Sequence, residues 1–189
     1  MSIRQVTFNW QWLELPTDVT RTARREAQRT VSRQLIQQLL PVPLAYHRLG
    51  QPYFPSQPQL GVSVSHTYQL VMVALGPGPL GIDVEQVRPH DLDAIRRAFT
   101  PAEWHLLQAL SAQERQRLGW QLWTAKEAVL KLVGCGLTQA PRQVEVLDLK
   151  HGRACYQTQL YQLTPLALPA TYVGFLAQVV PPDLIGKLS

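Results

Sequence analysis

Residues 122–134 read LWTAKEAVLKLVG. Leu118, Leu122, Ala125, Val129, Leu132 and Val133 recur at helical spacing and make one apolar face, so a helix is expected over about 114–134. The same stretch carries Glu127 and Lys131 one turn apart. On an exposed helix such an i,i+4 pair contributes only about 0.2–0.5 kcal/mol. Here Trp120, Trp123 and Leu130 flank the pair, which predicts cover on that face too. Charges withdrawn from water cost several kcal/mol unless they are paired or bound. The two groups therefore either pair with each other or meet a cation and an anionic substrate.

Upstream, LGIDVEQV (80–87) reads as a strand in which Ile82 and Val84 point to the core, with Asp83 and Glu85 on the other face. Two acids on one face are either a solvated edge or, with Glu127, three hard oxygen ligands of the kind that suits Mg²⁺. Such a site beside Lys131 and a set of arginines suits a phosphoric anhydride as substrate. The turn GPGP (76–79) lacks the Lys–Ser/Thr ending of a phosphate-binding loop, so phosphates must be held by side chains and ordinary amides.

Around these motifs, VTFNWQWL (6–13), GVSVS (61–65) and QLVMVAL (69–75) read as strands, the last two as a hairpin around 66–68. Residues 18–40 read as a basic amphipathic helix with Arg21, Arg24, Arg25, Arg29 and Arg33 outward and Asp18 as its cap. Prolines make 41–60 irregular, apart from a short extended piece near Tyr46. Helices are expected at 91–98 and 101–110, stop signals at Gly134 and Gly136, and strands at 143–149, 153–160 and 171–179. The order of elements suggests two similar α/β halves meeting near residue 80, without a sequence repeat.

The chain's 189 residues, 46% hydrophobic and 16% charged, are enough for a sizeable core. Its net charge of +5 favours an anionic partner. Cys135 and Cys155 form no CxxC, so neither a zinc site nor a disulfide framework is implied, and two reduced thiols are the default. No stretch is long and apolar enough to span a membrane, and the N-terminal residues do not have a signal-peptide pattern, so a cytoplasmic location is expected.

SVSH (63–66), GIDVE (81–85) and WTAKEAVLK (123–131), followed by GCGL (134–137), closely resemble the motifs of 4′-phosphopantetheinyl transferases. The resemblance covers residues 61–137, and the length is similar to the larger, Sfp-like type. It implies an α+β fold of two pseudo-symmetric α/β halves, here residues 1–79 and 80–189, with the active site at their interface, working as a monomer. By the same resemblance, Asp83, Glu85 and Glu127 hold Mg²⁺, with Mn²⁺ as an alternative. Lys131 contacts phosphate and assists the leaving group. Ser65, His66 and basic residues of the N-terminal region, drawn from Arg21, Arg24, Arg25 and Arg33, bind coenzyme A, and Lys126 is peripheral. The acceptor is a serine of an apo acyl or peptidyl carrier protein with an acidic surface, and its hydroxyl is deprotonated by Glu127 or by a metal-ordered water. Two departures stand out: the family often has a lysine where this chain has Gln51, and its Ser-His-Ser reads Ser65-His66-Thr67.

Two other readings compete. A Mg²⁺-dependent nuclease would use similar groups, but the lysine follows the acid by four residues on a helix, and basic–aromatic interleaving for nucleic acid is missing. A catalytically idle relative that only binds carrier proteins is favoured by Gln51 alone.

Overall fold

The computed structural model describes residues 3–89, 92–135 and 138–181. Strand β1 (Thr7–Trp12) leads to helix α1 (Arg21–Leu39), a short hairpin of β2 (Ala45–Tyr46) and β3 (Pro52–Tyr53), and strands β4 (Leu60–Thr67), β5 (Leu70–Pro77) and β6 (Leu80–Gln86). A 3₁₀ helix (Leu92–Ala98), α2 (Pro101–Gln108) and α3 (Ala112–Val133) follow, then β7 (Glu145–Asp148), β8 (Arg153–Tyr156), β9 (Gln159–Pro165) and β10 (Tyr172–Val179). The strands form sheets in the order β1-β5-β4 and β6-β10-β9-β8-β7. This mixed α/β architecture agrees with the expected fold class.

Each long helix covers one sheet. Val31, Leu35 and Ile36 of α1 pack on Val71, Val73 and Leu75 of β5, while Ala125, Val129 and Leu132 of α3 pack on Phe175 and Ala177 of β10. A third core joins Leu70, Met72 and Ala74 of β5 to Leu80, Ile82 and Val84 of β6. The helix starts are capped by side-chain hydroxyls. Thr20, and not Asp18, accepts the Ala23 N–H at the start of α1, and Thr100 and Ser111 open α2 and α3 with reciprocal Glu103 and Glu114 bonds.

Two other expectations are revised. The stretch 153–160 is two strands, because Gln157 and Thr158 turn the chain with φ of +49° and +67°. Such a tight hairpin usually advertises itself by Asn or Gly, and Gln-Thr gives no such signal. The segment near 91–98 is 3₁₀ rather than α, and the expected stop at Gly136 lies outside the described residues.

The two sheets meet without a backbone ladder between most of β4 and β6. The Ser63 hydroxyl accepts the Ile82 N–H at 3.0 Å, and the Ser65 hydroxyl accepts the Val84 N–H at 3.1 Å. Both pairs are 19 residues apart, so the strands run parallel, joined through serine side chains. On its other face β6 is pressed against α3. A Cβ on Gly81 would lie 2.1 Å from the Ala128 carbonyl oxygen and 2.5 Å from the Leu132 nitrogen. The supposedly wet face of β6 is thus covered by α3, and Leu80 through Val84 are all buried.

Gly81→Ala should therefore push α3 off β6 and cost about 2–3 kcal/mol of stability. Urea unfolding would register this as a lower midpoint, and an unchanged midpoint would mean that the helix is free to shift.

Candidate active site

Strand β6 and helix α3 bring Asp83, Glu85, Glu127 and Lys131 together. Asp83 and Glu127 are each 6% exposed, although both are carboxylates. The helical neighbours Glu127 and Lys131 form no bond recorded between their side chains. Instead the Lys131 ammonium donates to Asp83 Oδ1 at 2.7 Å and to the Val64 carbonyl at 3.2 Å. Ser65 adds a hydroxyl donation to the same Asp83 oxygen at 2.9 Å, and Thr67 donates to Glu85 Oε2 at 2.6 Å.

This leaves Asp83 Oδ2 and Glu127 Oε1 buried without a partner. Burial, followed by the negative charge of Asp83, raises Glu127 from its ordinary 4.5 to about 7. The same two causes raise Glu85 to about 7. Among the described residues no three His, Cys, Asp or Glu stand as a ready-made metal cage. Lys131 and Ser65 share one oxygen of Asp83, and Thr67 takes one oxygen of Glu85. The two orphaned oxygens and the mutual repulsion of the acids nevertheless fit a hard cation, which would satisfy both.

A cleft of about 580 Å³ opens beside these groups. Arg29, Arg33, Gln51, His66, Glu127 and Lys131 are among its lining residues, so α1, the β2–β3 hairpin, β4 and α3 all contribute walls. His66 is an exposed residue at the cleft, where partial desolvation, then the Lys131 charge, lowers the pKa of the imidazole, so it is a neutral hydrogen-bonding group near pH 7.

Of the arginines singled out in the sequence, Arg25 acts electrostatically on His66, while Arg24 lies over the Tyr68 ring, 5.2 Å from its centroid. Arg21 and Arg24 are not among the cleft-lining residues. Arg33, one of the expected candidates, is among them, and so is Arg29, which helical phase could have added because both fall on the stripe that contains Ile36. Ser65 is 2% exposed and fully engaged with Asp83 and Val84, so it positions the acid.

Gln51 and Lys126 have jobs of their own. Gln51 donates to the Lys131 carbonyl at 3.0 Å, tying the hairpin to the end of α3. This end closes at Gly134, whose φ of +78° favours glycine and where a Cβ would lie 2.4 Å from Gln51 Oε1. Lys126 is wholly buried, with its ammonium 2.9 Å from Glu103 Oε1 and donating to the Val144 carbonyl. It clamps α2 and the approach to β7 onto α3 at the residue next to Glu127. Sequence phase gave its direction, away from Glu127, but not this partner.

Residues 79–172 match the family model of the 4′-phosphopantetheinyl transferase superfamily. A 4′-phosphopantetheinyl transferase of Bacillus subtilis is 34% identical over 89 residues, 47% of this chain and 40% of that relative. The transferase Sfp of Bacillus subtilis is 33% identical over 89 residues, with the same 47% and 40% coverage. AcpT of Salmonella typhimurium, also a 4′-phosphopantetheinyl transferase, is 29% identical over 100 residues, 51% of this chain and 52% of the relative. The matched part of the chain thus spans about two fifths to one half of these relatives' lengths.

Two predictions follow from the buried charges. Lys126→Met would strand the Glu103 carboxylate and should lower stability by about 3–5 kcal/mol, much of it recovered in Lys126→Met/Glu103→Leu, as read from urea midpoints. Because Glu85 and Glu127 bind protons more tightly folded than unfolded, the metal-free protein should lose stability as pH rises from about 4.5 through about 7. Melting curves with EDTA should show that decline, millimolar Mg²⁺ should reduce it, and Glu127→Gln should flatten it.

Proposed function

The chain belongs to the 4′-phosphopantetheinyl transferase superfamily through residues 79–172, and from that premise we propose that it transfers 4′-phosphopantetheine from coenzyme A to a serine hydroxyl of an apo acyl or peptidyl carrier protein. The new bond joins the serine oxygen to the phosphorus that bears pantetheine, and the bond to the departing 3′,5′-ADP breaks. The observation that carries this reading is that Glu127 and Lys131 line one cleft with Arg29, Arg33 and His66, Lys131 being bonded to the buried Asp83 behind it.

Asp83, Glu85 and Glu127 would hold Mg²⁺ or Mn²⁺, which when bound neutralises charge on the pyrophosphate. Glu127, or a water ordered by the metal, would take the serine proton. Lys131, ion-paired with Asp83, stabilises the negative charge that grows on the leaving phosphate. Arg29, Arg33 and neutral His66 hold the nucleotide's phosphates, with Arg25 close to His66.

In this reading residues 1–79 and 80–189 are two halves, the first supplying nucleotide contacts and the second the acids. The enzyme works as a cytoplasmic monomer. Its free Cys135 and Cys155 suit a reducing compartment, and none of the described helices is long and apolar enough to cross a membrane.

The test is the intact mass of several apo carrier proteins after incubation with the protein, coenzyme A and Mg²⁺. A gain of one phosphopantetheine, abolished by EDTA, is expected. Glu127→Ala and Lys131→Ala should each slow transfer by about 10²–10⁴-fold. No gain on any carrier, with coenzyme A still bound, would favour the idle relative.

A further inference from the structure

One wall of the cleft is a hairpin with only two residues in each strand, β2 (Ala45–Tyr46) and β3 (Pro52–Tyr53). A two-stranded ribbon of this size is marginal by itself in water. Its base is anchored by Leu44 and the buried Phe54, which pack in the core that α1 shares with β5. Its tip, where Tyr46 and Leu49 are exposed, is ordered from within. The His47 N–H donates to the Gln51 carbonyl at 2.9 Å, and the Gly50 N–H to the His47 carbonyl at 2.8 Å. The His47 and Tyr53 rings stack with centroids 4.2 Å apart.

Among the described residues, one side-chain hydrogen bond joins this hairpin to another element, the Gln51 amide donating to the Lys131 carbonyl at 3.0 Å. Lys131 lies in the last turn of α3, where helix carbonyls lack their usual intrahelical partners. The Gly134 N–H is shared between the Leu130 and Lys131 carbonyls at 3.1 and 3.2 Å, and Gln51 adds a second donor to the latter. The oxygen of the same amide rests against Gly134, where any Cβ would collide with it. Lys131 is thereby held from two sides, its backbone by the hairpin and its ammonium by Asp83 and the Val64 carbonyl.

Resting on the transfer reading above for coenzyme A as the occupant of the cleft, we propose that Gln51 is a positioning residue, whose amide latches the β2–β3 hairpin to the end of α3 and thereby sets the cleft's grip on coenzyme A. It acts through the wall it holds, because its Nε2 is engaged with the protein's own backbone. With the latch made, the hairpin's share of the lining, Tyr46, Leu49, Gly50 and Pro52, is fixed relative to Lys131. With it broken, that wall is tied to the rest of the protein at its base, and ordering it on coenzyme A would draw on binding free energy.

The experiment pairs amide hydrogen exchange of the free protein with calorimetric titration of coenzyme A and of dephospho-coenzyme A, in wild type, Gln51→Met and Gln51→Lys. Methionine keeps the length of the side chain and removes the donor, whereas lysine restores a donor suited to a helix-end carbonyl. Gln51→Met should speed exchange across residues 46–51 and weaken coenzyme A, each by about threefold to tenfold, the worth of one hydrogen bond. Dephospho-coenzyme A, which lacks the 3′-phosphate, should lose affinity by the same factor within about twofold, and Gln51→Lys should return exchange to about the wild-type rate. Unchanged exchange in Gln51→Met, or faster exchange with coenzyme A affinity intact, would overturn the latch. A loss seen with coenzyme A and absent with the dephospho form would overturn it in favour of direct contact with the phosphate. Gln51 is half-buried on the hairpin and outside the packed cores, so both variants are expected to fold. Binding is read here and not transfer: unmodified carriers with coenzyme A bound would sink the transfer reading alone, while a wild type that binds no coenzyme A would remove both.

Discussion

Asp83 is a carboxylate in the middle of a strand buried on both faces, and the rest of the site is arranged around that fact. Moving an ionised carboxylate from water into protein costs several kcal/mol unless charge and hydrogen bonds replace the solvent. Lys131 and Ser65 both bond to Asp83 Oδ1. Ser65 can do so only because β4 lies parallel to β6 at side-chain distance, and Lys131 only because α3 presses on Gly81. The join between the sheets and the seat of the long helix are therefore also the means by which one buried acid is given an ammonium and a hydroxyl in place of water.

Much of this could be read in the chain. The alternation of LGIDVEQV and the helical spacing of LWTAKEAVLKLVG give the two elements, and the motifs they carry give the family. What the strand pattern could not give was which face of β6 was covered, because period-2 alternation with acids at 83 and 85 is the same whether that face meets water or a helix. The packing of α3 against Gly81 decides it. The hairpin at Gln157–Thr158 was illegible for a different reason: its positive φ angles are imposed by the pairing of β8 with β9 and not announced by glycine or asparagine.

Gln51 and Lys126 show how a residue's type can mislead about its task. A lysine in a phosphate-site motif suggests an anion, yet Lys126 is satisfied by Glu103 and the Val144 carbonyl, and burial lowers its pKa. Glu103 meanwhile bonds with its other oxygen to the Thr100 N–H at the start of α2. One carboxylate thus ends a helix and anchors a buried cation. Gln51 looks like a lost phosphate ligand, but its amide closes the end of α3 directly behind Lys131. A lysine in its place would bring a second ammonium to the cleft that Lys131 also lines.

The i,i+4 relation of Glu127 and Lys131 finally makes sense through the bond that they do not make. Had the two paired, the acid would be neutralised by its own helix and its carboxyl held in the ordinary range. By giving Lys131 to Asp83, the fold leaves Glu127 with an unpartnered oxygen among other acids, and its pKa climbs to about 7. Burial raises it first and the negative charge of Asp83 second, and it is the second of these that a divalent cation would relieve. Both causes have one physical source, the withdrawal of Asp83, Glu85 and Glu127 from water with one lysine among them.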